Sequence, residues 1–153
     1  MPTPSWSARG TVYTADGTNG VGAYAPDGRL LWRCATGDEI LSLAERADGT
    51  VLALGRTGLS AIRPAGRRVW RRPLGRPLRT PSARPPTIVS DAADHDYLGS
   101  DDGVIRAIAP NGALLWRLPT RGPTRLGGTP SISLGPEGTL VVAGTDRRPR
   151  ICQ

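Results

Sequence analysis

Three observations predict an all-β chain built of four-stranded antiparallel sheets, the blades of a β-propeller. An eleven-residue pattern recurs three times, a β-branched run recurs upstream of it, and no segment of the 153 residues shows a helical period. The pattern is A-x-x-P-x-G-x-x-x-W-R. It reads AYAPDGRLLWR from Ala23 to Arg33, AIRPAGRRVWR from Ala61 to Arg71, and AIAPNGALLWR from Ala107 to Arg117. Its tryptophans, Trp32, Trp70 and Trp116, are 38 and then 46 residues apart, the length of one propeller blade.

Each unit divides into four strands in order. The first is a short alternating or β-branched run: TPSWSA from Thr3, ILSLAERAD from Ile40, PPTIVSDAA from Pro85 and TPSISLGPE from Thr129. The second is GTVYTAD from Gly10, GTVLALG from Gly49, DYLGSDD from Asp96 and GTLVVAG from Gly138. The third is expected at the alanine that opens the pattern, and the fourth at its tryptophan. Between them Pro presets φ and Gly admits a positive φ, as in Pro26 with Gly28, so a tight turn is expected there. The units run approximately 1–37, 38–75, 76–122 and 123–153. The last ends at RRPRICQ, which aligns with a third strand and places Cys152 on the small alanine position. The expectation is a single partial propeller domain, 1–153, of about fifteen strands and three and three quarter blades. Three arrangements stay open: an open arc that is part of a larger, seven- or eight-bladed propeller, a half that pairs with another copy, or a four-bladed ring with an incomplete last blade.

Composition narrows the function. With 20 Gly and 15 Pro the chain is turn-rich but globular in its apolar share. No apolar run is long enough to span a bilayer, and MPTPSWSARG at the start has no apolar signal core. The compartment is left open between the cytoplasm and an exported protein. One His and two Cys are too few soft ligands for zinc. Every basic residue is Arg, which fits high-GC codon usage, and the net charge is +7. Eight arginines fall between Arg63 and Arg84, but Trp70 is the one aromatic there, so no stacking platform for single-stranded nucleic acid is present. A solvated basic face is expected, with nucleic acid not expected as a partner.

The Ala, Gly and Trp of AIAPNGALLW, together with GSDDGVIRAI from Gly99, resemble the tryptophan-docking repeat of the pyrroloquinoline quinone (PQQ)-like, or quinoprotein-like, β-propellers. The resemblance covers nearly the whole chain. It implies a bacterial propeller in which each Trp stacks between neighbouring blades over small Ala and Gly positions. The docking residues it implies are Trp32, Trp70 and Trp116, with Ala23, Ala61 and Ala107 and with Gly28, Gly66 and Gly112, and the tryptophans are expected to be buried. The family holds quinoprotein dehydrogenases, an outer-membrane assembly lipoprotein and receptor-linked sensors, so it fixes fold and leaves function open.

No catalytic constellation assembles from the residues. The dehydrogenases of this family bind PQQ and calcium through Glu, Asn and Asp, with an Asp base and adjacent cysteines, whereas Cys34 and Cys152 are far apart. His95 sits between Asp94 and Asp96, but neighbours on a strand point to opposite faces, so a polar turn is the expected role. Asp91, Asp94, Asp96, Asp101 and Asp102 follow no calcium-loop spacing. Trp6 is expected in the core, at the position of Ile132. An anion-binding or partner face is expected where second-to-third turns meet the crossings between units, carrying Arg76, Arg79, Arg84, Arg121 and Arg125.

The preferred reading is a non-enzymatic repeat module that acts as a scaffold or sensor for protein or ligand binding, with no cofactor. The alternative is a fragment or half of a quinoprotein-type oxidoreductase with PQQ and calcium. Partners are expected to be another protein, further blades of the same propeller, or a second copy of the chain.

Overall fold

The computed structural model describes residues 5–6, 10–16, 19–75, 87–99, 103–119, 131–143 and 150–152. The chain divides into two compact units, Met1–Pro77 and Leu78–Gln153, each holding two sheets. In the first unit, β1 (Ser5–Trp6), β2 (Val12–Asp16), β3 (Gly20–Tyr24) and β4 (Leu30–Ala35) form one sheet in chain order. β5 (Ile40–Glu45), β6 (Val51–Gly55), β7 (Gly58–Ile62) and β8 (Arg68–Pro73) form the next. In the second unit, β9 (Thr87–Ser90), β10 (Asp96–Gly99), β11 (Val104–Ile108) and β12 (Leu114–Pro119) again form a four-stranded sheet. β13 (Ser131–Leu134), β14 (Leu140–Ala143) and β15 (Arg150–Cys152) form a sheet of three. All pairings are antiparallel. The one helical segment among the described residues is a 3-10 turn, Pro136–Gly138.

The Pro-x-Gly turn forms for the reason its residues dictate. Ala25 N–H donates to the Arg29 carbonyl (2.8 Å) and Gly28 N–H to the Ala25 carbonyl (2.9 Å), and the same pair of bonds recurs at Arg63 to Arg67 and at Ala109 to Ala113. This is a type I turn closed by a left-handed residue, which Gly28, Gly66 and Gly112 supply at φ between +88° and +91°. Asp27 and Asn111 tighten their copies by accepting the backbone N–H two residues on, from Arg29 and Ala113.

Two boundaries differ from the sequence reading. The third strands do not begin at the alanine; they begin at Gly20, Gly58 and Val104 and end one residue past Ala23, Ala61 and Ala107. Pro26, Pro64 and Pro110 follow so closely that a strand starting at the alanine has no room to run. In the last sheet Val141 pairs with Ile151 and Leu140 with Cys152, so Ile151, and not Cys152, holds the alanine position, because the register follows the Gly-Thr start of β14. By the same pairing Trp6, opposite Val12, matches Leu134 rather than Ile132. The side chains of Trp6 and Cys152 lie outside the described residues.

A β-bulge repeats in all three four-stranded sheets that carry the pattern. Ala23 pairs with Trp32 and Tyr24 with Leu30, which leaves Leu31 as the extra residue, and Val69 and Leu115 are extra in the same way. The inserted residue turns outward, and in the first sheet the tryptophan after it, Trp32, faces the next sheet.

Each unit packs its two sheets face to face. In the first, Tyr13, Val21 and Ala23 meet Ile40, Val51, Ala53 and Ile62, with Ala15, Trp32, Cys34 and Leu43 around them. In the second, Ile105 meets Ile132 and Leu140, flanked by Val89, Tyr97 and Leu134. Burying each such Val, Leu or Ile contributes about 1.5–3 kcal/mol, which a lone sheet with one open face forgoes.

Candidate functional site

Register brings the alanine and tryptophan of the pattern together within one sheet. Tyr13, Ala23 and Trp32 lie side by side across β2, β3 and β4, and Tyr97, Ala107 and Trp116 lie the same way across β10, β11 and β12. The small alanine lets the flanking rings meet above it. Their centroids are 5.9 Å apart for Tyr13 and Trp32 and 6.0 Å for Tyr97 and Trp116, both tilted by 39°. In the middle repeat Leu52 replaces the tyrosine beside Ala61 and Trp70, and the guanidinium of Arg46 stands 5.8 Å from the Trp70 ring centroid.

The ring of Trp32 then crosses to the next sheet. Its Nε1–H donates to the Pro64 carbonyl at 2.8 Å, and the ring lies against Gly66, where a Cβ would come within 2.7 Å of it. Gly66 therefore serves twice, as the left-handed turn residue and as the flat seat for the indole. The three tryptophans are less enclosed than the sequence reading expects: Trp32 and Trp70 are half-buried and Trp116 is 40 % exposed. The ring lies at the rim of the sheet, on its outermost strand, so its outer edge stays in water.

At the opposite end of the strands of the first unit, the crossing from β4 to β5 is stapled to two turns. Thr36 Oγ1 donates to the Asn19 carbonyl (2.8 Å), which also accepts Thr36 N–H and Gly37 N–H. Asp38, buried, accepts Thr57 N–H and Thr57 O–H at 2.8 Å and Gly58 N–H at 3.2 Å through Oδ2 alone. Arg71 completes the staple, 3.8 Å from that oxygen and donating to Thr57 Oγ1 at 2.6 Å. Nothing in the spacing of Asp38 marks this role. The lack of a side chain at Gly55, where a Cβ would overlap the Asp38 carboxylate, is the one signal for it.

His95 is held by a residue the sequence reading did not pair with it. Asp91 Oδ1 accepts Ala93 N–H and His95 N–H at 2.9 Å, and Oδ2 lies 3.0 Å from both His95 Nδ1 and the Tyr97 hydroxyl. Burial pushes the Asp91 carboxyl up, but the donors from His95, Tyr97 and Ala93 outweigh it and leave it below its ordinary value. Burial and the neighbouring Asp91 charge push the Tyr97 hydroxyl up. Asp96 turns to the other face, where Ser90 donates to it at 2.8 Å. The pair that chemistry would look for is thus four residues apart across a hairpin, and it serves as the polar turn expected there.

Arg76, Arg79, Arg84, Arg121 and Arg125 lie outside the described residues, as do Asp101 and Asp102. Among the described residues no three His, Cys, Asp or Glu side chains converge as a metal seat. None of the described helical segments is long and apolar enough to cross a membrane. Every large apolar residue that is exposed among the described ones, Leu30, Leu31, Val69, Leu115, Trp116 and Leu118, sits on a fourth strand.

No protein-family model matches the sequence, and no curated protein matches it. Solved structures do. BamB from Moraxella catarrhalis matches over 98 % of this chain and 42 % of its own at TM-score 0.71 and 17 % identity. A catalytically inactive virginiamycin B lyase from Staphylococcus aureus, solved with quinupristin, matches over 98 % and 54 % at 0.69 and 16 %. The computationally designed Ika4 protein matches over 97 % and 88 % at 0.69 and 13 %. The chain spans about half the length of the two natural proteins. Identities this low speak for the fold alone, and the fold is that of β-propeller blades.

Proposed function

We propose that the chain is a non-enzymatic, PQQ-like propeller module that serves as a protein-binding scaffold. One observation carries this reading: the exposed apolar residues are gathered on the outer strands and interleaved with arginines. Leu30 and Leu31 stand between exposed Arg29 and Arg33, Val69 follows exposed Arg67 and Arg68, and exposed Arg117 separates Leu115 and Trp116 from Leu118. Apolar area with a cationic rim fits an acidic protein surface carrying leucine-like side chains. The Asp38 and Asp91 carboxylates are engaged in holding turns, which favours scaffold over catalyst. Within that scaffold, Trp32, Trp70 and Trp116 with Ala23, Ala61, Ala107, Gly28, Gly66 and Gly112 are the docking residues that hold blade to blade. Arg76, Arg79, Arg84, Arg121 and Arg125, which fall in the sequence between repeats, are proposed to add to that positive charge.

The experiment is a titration with a random copolymer of glutamate and leucine, followed by tryptophan fluorescence. Binding that weakens with salt is expected, and the joint variant Arg67→Ser, Arg68→Ser, Val69→Ser is expected to weaken it about tenfold. Binding indifferent to salt and to these changes overturns the reading. A titration with PQQ and Ca²⁺ followed by absorbance separates this reading from the oxidoreductase alternative.

A further inference from the structure

The fourth strands β4, β8 and β12 share a register but differ along their outer edges. Thr36 N–H donates to the Asn19 carbonyl at 3.0 Å, on the β3 side of β4. Bonding direction alternates along an antiparallel strand, so Trp32 and Cys34 also bond towards β3, while Arg33 and Ala35 turn their N–H and C=O groups away from it. In β8 the Leu74 N–H donates to the Thr57 carbonyl at 3.0 Å, and by the same alternation Arg71 and Pro73 turn outward. Gly20, Gly58 and Val104 pair with Ala35, Pro73 and Pro119, so these three residues hold one position. Proline there costs no sheet hydrogen bond, and it removes an outward donor that a foreign strand could use. β8 and β12 are blunted in this way, and β4 is not. Among the described strands β4 pairs with β3 alone, and both Arg33 and Ala35 are exposed.

We propose that the outer edge of β4 receives an extended acidic segment of a partner protein as an added strand of its sheet. This deepens the scaffold reading and rests on it: the partner is a protein, and β4 is where its chain joins. Arg33 and Ala35 each offer one N–H and one C=O to the incoming backbone, so main-chain bonds supply the affinity and side chains the selectivity. The added strand is short, because the bulge at Leu31 bounds the edge on one side and Thr36, tied to Asn19, bounds it on the other. Charge selects the occupant. Arg33 is exposed on β4 and Arg29 is exposed just before it, and an acidic side chain across from Arg33 makes a favourable cross-strand pair. Pairing β4 with β4 of a second copy through both Arg33 and Ala35 would instead set the two Arg33 side chains diagonally across from one another on one face. Like charges so placed repel, which favours a foreign acidic strand over a second copy.

The test uses the full chain and two probes: a short synthetic peptide of alternating Glu and Val, and the same peptide N-methylated at every backbone amide, which keeps its charge and loses its main-chain donors. The first is expected to bind in a calorimetric titration, and N-methylation or Ala35→Pro is each expected to weaken binding about tenfold or more. Ala35→Pro gives β4 the residue that β8 and β12 already hold at that position, and circular dichroism checks that the fold is kept. Bound peptide is also expected to slow hydrogen exchange at the Arg33 and Ala35 amides of the wild-type chain and to leave Trp32 and Cys34, already bonded to β3, unchanged. Three results overturn strand addition and leave the scaffold reading standing: binding indifferent to N-methylation and to Ala35→Pro, protection that misses Arg33 and Ala35, or no peptide binding by a chain that still binds the copolymer of glutamate and leucine. A chain that binds neither peptide nor copolymer overturns both.

Discussion

Replacing Gly28 and Gly66 by alanine separates what the backbone requires from what the ring requires. Both have φ near +90°, so both substitutions carry a left-handed strain of about 1 kcal/mol. At Gly28 the added methyl meets nothing, whereas at Gly66 it falls against the Trp32 ring. Gly66→Ala is therefore expected to cost about 2 kcal/mol more than Gly28→Ala in urea unfolding; equal costs would mean that the indole does not depend on the seat. The hydrogen bond is separable in the same way. Trp32→Phe should lose about 1 kcal/mol, since the Pro64 carbonyl at the rim can turn to water, and Trp32→Ala about 2–4 kcal/mol. Asp91 supplies a pH dependence. Its carboxyl is held below its ordinary value in the folded state, so its contribution is present above the unfolded value of 3.8 and is lost as pH falls through the folded one. Acid unfolding below about pH 4 should flatten in Asp91→Asn. Tyr97 works with the opposite sign, its contribution fading as pH rises past 10.

At the scale of the element, the crossing from β4 to β5 is fixed by one carboxylate oxygen that satisfies three donors. Asp38→Ala leaves the part-buried Thr57 amide and the buried Gly58 amide without their acceptor and is expected to cost about 2–4 kcal/mol. Amide exchange at Thr57 and Gly58 should speed up well ahead of that in β6; unchanged exchange there would show that Arg71 and Thr57 hold the turn without Asp38. The repeating elements also show where sequence reading stops. The Pro-x-Gly turns were legible because Pro and Gly have few other uses at that spacing, and the fifteen-strand meander followed from them. The start of each third strand was not, because GVGA, GLSA and VIRA are buried on both faces and show no alternation to read. The bulge at Leu31, Val69 and Leu115 left no mark beyond the fixed gap from Gly to Trp. The turn-holding role of Asp38 and Asp91 was not legible, because each carboxylate accepts from backbone amides, which no side-chain pattern announces. Arg76, Arg79, Arg84, Arg121 and Arg125 were legible as charge only.

In the whole molecule, stability follows from how completely each sheet is sandwiched. β6 and β7 are buried at every residue from Val51 to Gly55 and from Gly58 to Ile62, with strands on both sides. β15 pairs along three residues with β14 alone among the described strands. In a repeat protein each sheet draws its stability from its immediate neighbours, so opening is local and graded rather than all-or-none. Native-state hydrogen exchange is expected to rank the amides accordingly, slowest at Leu52, Leu54 and Leu59 and fastest at Ile151, with Leu98 and Ile105 between. The ranking follows from burial and pairing and not from propensity, since β14 and β15 are as rich in Val and Ile as β6. Near-equal protection across β6, β10 and β14 would mean that the two compact units unfold as one cooperative body.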